Sequence, residues 1–157
     1  MNEIIIYTDG SCHTDYRTGA WAAIILHNSK EIELSGVVND TTHNRMELYA
    51  VISAFEYILK HSKPTELINV YTDSQYVAGI ESRKEKLRLS DFKTKAGNYI
   101  QNVDLVKNLI EYTEVLQAKF IKVKAHQKKT KERNINREVD KLSRKLVREE
   151  VKKSIKE

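Results

Sequence analysis

The chain has 157 residues, 40% of them hydrophobic and 31% charged, with a formal net charge of +5. That length suits one domain, residues 1–157, with a real core, and no apolar run nears the roughly 18–20 residues of a membrane span. A lone cysteine, Cys12, excludes an internal disulfide and any paired-cysteine metal site, and residues 1–8 lack a secretion-signal pattern, so a cytoplasmic protein with no membrane partner is expected.

In chain order, "EIIIYTDGS" reads as a buried strand. "GAWAAIILHN" and "EIELSGVV" read as two more, joined by a short turn at 29–30, and such close spacing predicts an antiparallel meander. "NRMELYAVISAFEYILKH" changes period. Leu48, Val51, Ile52, Phe55, Ile58 and Leu59 share one side of a 3.6-residue wheel, which predicts an amphipathic helix. Pro64 separates it from the strand "LINVYT". A short helix is expected over 74–80, then a basic irregular segment over 81–98, a helix over 103–113, a strand over 118–126 and a last helix over 136–152. Residues 148–157 read as a basic tail. The β-α-β-α-β portion favours parallel pairing. The expected fold is α/β: a five-stranded mixed sheet, three antiparallel strands then two parallel, flanked by helices.

Charge is uneven. Residues 1–80 hold five Lys/Arg against ten Asp/Glu, whereas residues 119–157 hold fifteen against six. The basic last quarter points to an anionic partner such as nucleic acid, or to a solvated lysine-rich helix; charge alone leaves both open.

Two strands end in the same tripeptide, Tyr-Thr-Asp, at Asp9 and Asp73. In a sheet with parallel strands, ligands gather at the carboxyl ends. Asp73 before "SQYVAGI" is equally a good helix N-cap, and Asp9 before Gly10 a good turn residue. Glu47 has apolar Val51, Ala54 and Ile58 at i+4, i+7 and i+11, so it borders the buried stripe, where an acid is costly unless neutralised. Asp140 sits beside the apolar face of the last helix. Two carboxylates about 4 Å apart repel by roughly 4 kcal/mol at an effective dielectric near 20. If all four converge they need cations between them, and an oxygen-only set suits Mg²⁺ or Mn²⁺ in a two-metal site acting on a phosphodiester.

With "YTDGSC", "TTHNRMEL", "YTDSQYV", "VKAH" and "NREVD" in this order, the sequence resembles the type 1 ribonuclease H (ribonuclease HI) family from about residue 3 to residue 148. The resemblance implies an endoribonuclease that hydrolyses the RNA strand of RNA–DNA hybrids with two Mg²⁺ ions, or Mn²⁺, and leaves 5′-phosphate and 3′-hydroxyl ends. It further implies metal ligation by Asp9, Glu47, Asp73 and Asp140, with His126 assisting proton handling or product departure. Gly10, Ser11, Cys12, His43, Asn44, Arg45 and Gln75 would meet substrate, and Thr42 with Asn102 a DNA phosphate. A monomer is expected. The alternatives are a hybrid-binding module with weak catalysis and a mobile-element nuclease of the same fold.

Three stretches depart from the family pattern. "HTDYRTGA" replaces a glycine- and proline-rich turn and brings the charge of Asp15. "SRKEKLRLSDFKTKAGN" keeps the lysines of a basic protrusion but has Phe92 as its one aromatic residue. "AHQKKTKERNI" puts extra lysines, and no glycine, beside His126.

Overall fold

The computed structural model describes residues 3–61 and 66–156; Pro64 lies outside them. Strand β1 (Glu3–His13) pairs antiparallel with β2 (Thr18–His27), which pairs antiparallel with β3 (Lys30–Val38). Helix α1 (His43–His61) leads to β4 (Leu67–Thr72), which lies parallel to β1. Helices α2 (Gln75–Leu89) and α3 (Val103–Leu116) then precede β5 (Lys119–Lys122), parallel to β4, and α4 (Ile135–Lys156) closes the chain. The sheet order is β3-β2-β1-β4-β5. The expected mixed sheet of three antiparallel and two parallel strands is present.

Alternation along β1 sorts the layers. Ile4 and Ile6 face the main core, built with α1 and α3 around Phe55, Leu48 and Leu109. Tyr7 faces the other way, into a smaller cluster with Val139 and Leu142 of α4. The sheet is therefore sandwiched, with α4 alone behind β1 and β2. By the same alternation Asp9 belongs to the α4 face and Gly10 to the α1 face.

Three boundaries differ most from expectation. The short helix at 74–80 runs to Leu89, so half of the basic segment expected to be irregular is helical. It buries only Val77 and Ile80, but its charges pair along it, Lys84 with Glu81 at 2.9 Å and Arg88 with Glu85 at 3.5 Å. The strand expected over 118–126 is confined to Lys119–Lys122, because its partner β4 ends at Thr72, whose carbonyl takes a last bond from the Val123 N–H at 2.8 Å. The last helix does not stop at 152: it runs to Lys156, and Val151 packs with Val147 and Ala20, so the tail from 148 is helix.

Candidate active site

Parallel pairing of β1 with β4 sets Thr8 opposite Thr72, so Asp9 and Asp73, each the next residue, emerge side by side at the strand ends. Asp73 is free for that position because Ser74 caps α2 instead: its hydroxyl oxygen accepts from the Val77 N–H at 3.1 Å. The cap reading of Asp73 is thereby set aside.

Glu47 arrives from α1. A Cβ at Gly10 would stand 2.4 Å from the Glu47 backbone nitrogen, closer than atoms can approach. Glycine there lets the first turns of α1 rest on β1. The Gly10 N–H then donates to Glu47 Oε1 at 2.6 Å. Glu47 is 1% exposed, and its other oxygen, Oε2, is buried without a hydrogen-bond partner. One carboxylate oxygen from each of Asp9, Glu47 and Asp73 lies within 4.8 Å of the others.

The electrostatics follow from that crowding. Burial, then the neighbouring Asp73, pushes the Asp9 carboxyl up to about 8, against a lowering hydrogen bond from Ser143. Burial, then Asp9 and Asp73, raises Glu47 well above the usual carboxylate range, and the Gly10 N–H opposes this. Three converging carboxylates with one orphaned buried oxygen match what a hard divalent cation requires: oxygen donors and a charge to balance them. The residues fit such an ion.

Asp140, 5% exposed on α4, borders this trio but is not one of it. Arg144, one turn on, engages both its oxygens, Nε to Oδ1 and Nη2 to Oδ2, each at 3.1 Å. His126 Nδ1 lies 3.4 Å from Asp140 Oδ2, on a residue with φ 52° and a side chain 71% exposed. A left-handed backbone and open surroundings put the imidazole at the rim.

The cleft, about 270 Å³, is lined by Asp9, Asp73, Asp140 and His126, and by Gly10, Ser11, His43, Asn44 and Gln75 of the expected contact set. The other expected contacts stand apart. Thr42 caps α1, its hydroxyl oxygen accepting from the Arg45 N–H at 3.2 Å. Arg45 Nη1 donates to Asn102 Oδ1 at 3.2 Å while its Nη2 pairs with Asp104 at 3.2 Å. Cys12 Sγ lies 3.5 Å from the Thr41 carbonyl oxygen, beside the turn 13–18. That turn holds itself without glycine or proline at its tip: the Arg17 N–H donates to the His13 carbonyl at 2.8 Å, and its guanidinium pairs with Asp40 at 2.8 Å. Asp15 is exposed there, outside the cleft lining. Trp21 is half-buried against Gly36, a packing position.

Sequence reasoning missed Ser143 and Arg144, whose only signal was their place three and four residues after Asp140, one turn along a helix. It also missed Tyr99, exposed just past the basic segment, with the ammonium groups of Lys93 and Lys107 at 5.3 and 5.7 Å from its ring centroid.

Against known proteins, the model of the RNase H family matches residues 1–148. The ribonuclease H of Caldicellulosiruptor saccharolyticus is 34% identical over 95% of this chain and 99% of its own length. That of Wolbachia pipientis wMel is 38% identical over 92% and 95%. Among solved structures, LC9-RNase H1, a type 1 RNase H with the type 2 active-site motif, superposes with a TM-score of 0.76 over 94% of this chain and 72% of that one, at 20% identity. At that identity the superposition speaks for the fold.

Proposed function

This chain belongs to the ribonuclease H family, of the type 1 kind, and from that premise we propose that it hydrolyses the RNA strand of an RNA–DNA hybrid, leaving 5′-phosphate and 3′-hydroxyl ends. The observation that carries the reading is the trio Asp9, Glu47 and Asp73, oxygens within 4.8 Å of one another, with Asp9 and Asp73 lining the cleft and Glu47 buried behind them. Asp9, Glu47 and Asp73 hold divalent cations, Mg²⁺ or Mn²⁺, with Asp140 alongside. When bound, the ions supply an acidified water and offset the charge that builds on the phosphate and leaving oxygen.

The chain's own residues do the rest. Gly10 keeps α1 against β1, so that Glu47 faces Asp9. Ser11, Asn44 and Gln75 line the cleft with polar side chains able to engage a ribose 2′-hydroxyl, the group that separates RNA from DNA. His43 lines it too, one turn before Glu47. Thr42, Arg45 and Asn102 form a polar group beyond the cleft, suited to a phosphate of the DNA strand, and Cys12 borders the RNA side. His126, exposed and next to Asp140, assists proton handling at the departing oxygen or the departure of the product.

Labelled RNA–DNA hybrid, double-stranded RNA and double-stranded DNA, each incubated with Mg²⁺, Mn²⁺ or EDTA, test this. The expected result is cleavage of the hybrid's RNA strand alone, abolished by EDTA and by Asp9→Asn. Cleavage of duplex DNA at a comparable rate, or an Asp9→Asn chain as fast as the parent, overturns it.

A further inference from the structure

The solvent side of α4 has two unlike flanks. On one, every acid is matched: Glu138 with Arg133 at 2.7 Å, Glu149 with Lys145 at 3.9 Å, and Glu150 with Lys153 at 3.7 Å. On the other, Arg137, Lys141, Arg144, Arg148 and Lys152 follow at steps of four, three, four and four, which sets them in one line along the helix. At about 1.5 Å per residue the line is about 22 Å long. Among the described residues only Arg144 of these five has a carboxylate partner, Asp140, and Arg144 also lines the cleft. The other four cations have no carboxylate of the described residues within pairing distance, on a helix whose opposite flank is neutralised.

We propose that this line is a phosphate track, holding the sugar–phosphate backbone of the hybrid where the duplex runs on beyond the cleft. The proposal rests on the function proposed above and extends it to a surface outside the acidic site. Three features favour a nucleic-acid strand over other anions. The line meets the cleft at Arg144, its middle member, and runs on from there through Arg148 and Lys152. It is one residue wide and carries no apolar side chain until Ile155 at its far end, so it lacks the hydrophobic centre of a protein interface. The apolar stripe of α4, with Val139, Val147 and Val151, is turned into the sheet and unavailable to a lipid surface.

Unpaired cations release condensed counterions when they meet phosphates, so the track has a thermodynamic signature in salt. Hybrid affinity is measured across a salt series in the Asp9→Asn background, which prevents cleavage, for two charge-matched doubles. One is Arg148→Gln with Lys152→Gln on the track; the other is Lys145→Gln with Lys153→Gln on the neutralised flank. The track double is expected to lower the slope of log affinity against log salt by about two, as for two lost phosphate contacts, and to weaken binding near 0.15 M salt about tenfold. The flank double is expected to keep the parent slope and affinity. A hybrid shortened so that it ends at the cleft is expected to bind both doubles equally. If a full-length hybrid binds the parent but the two doubles lose affinity alike, the cations act as diffuse charge and the track is overturned. If the parent binds no hybrid at all, the functional reading fails and the track falls with it.

Discussion

The hydroxyl of Ser143 donates to Asp9 Oδ2 across 2.7 Å, tying the last helix to the first strand inside the acidic site. Ser143 is fully buried, and its oxygen also lies 3.1 Å from the Asp140 carbonyl oxygen of its own helix. One hydroxyl thus orients Asp9 and favours its ionised form, while anchoring the turn that presents Asp140. Ser143→Ala leaves packing almost unchanged and removes that donor. Divalent-ion affinity is expected to fall about tenfold, the usual size for losing a group that orients a ligand. Titration calorimetry with Mn²⁺ checks this, and an unchanged dissociation constant refutes the assignment.

A second expectation concerns pH. Asp9 and Glu47 both have raised carboxyls: burial and then Asp73 push Asp9 to about 8, and burial, then Asp9 and Asp73, raise Glu47. The folded chain therefore keeps protons that the unfolded chain has released. Without metal, these two groups favour folding fully below about pH 4, and that contribution is lost as pH climbs towards 8. Denaturant unfolding in EDTA at stepped pH should show the decline, and saturating Mn²⁺ should flatten it.

Asp9→Asn removes one of the crowded charges. Its metal-free melting temperature is expected to exceed the parent's by roughly 5 °C at pH 8, with the gain shrinking near pH 4. A variant that melts below the parent at pH 8 contradicts the crowding described for the trio.

Gly10→Ala tests the contact between α1 and β1. The added methyl meets the backbone of Met46 and Glu47 at 2.4–2.9 Å, so the helix must lift. A cost of about 2–3 kcal/mol is expected from overpacking, together with loss of cation binding, since Glu47 moves away from Asp9. Urea midpoints and calorimetry report the two effects separately. Native stability with native metal affinity would show that the helix is not seated there.

Arg144→Gln bears on the fourth carboxylate. Both oxygens of Asp140 are engaged by Arg144, so a cation using Asp140 competes with the guanidinium. Removing that competitor is expected to lower, by about tenfold, the Mn²⁺ concentration needed to fill any site that uses Asp140, at roughly 1.4 kcal/mol per decade. A binding isotherm identical to the parent's would count against any such competition.

Much of the site is legible in the amino-acid sequence, for definable reasons. Asp9 and Asp73 end runs of β-branched residues, and Glu47 borders an apolar helical stripe, so local pattern makes them candidates while leaving the cap and turn readings of the aspartates open. The structural roles of Gly10 and Ser143 are not legible, because they arise from contacts across 37 and 134 residues, which no local period encodes. Helix α2 exceeds its expected length because it buries only two residues and shows no apolar rhythm; its extent depends on charge pairing. Strand β5 falls short of its expected length because alternation in "FIKVKAH" outlasts the neighbour that could pair with it.

Beyond Ile80, α2 has just Leu87 half-buried against the core, and its far end is moored to α3 by Arg88 and Lys84 against Glu114. All three side chains are partly open to water, where mobile ions weaken such attractions over about 8–10 Å. Ionic strength therefore acts as a stiffness control on one arm of the molecule while leaving the central sheet untouched. Cells or buffers of differing salinity would meet the same rigid cleft beside an arm of differing slackness.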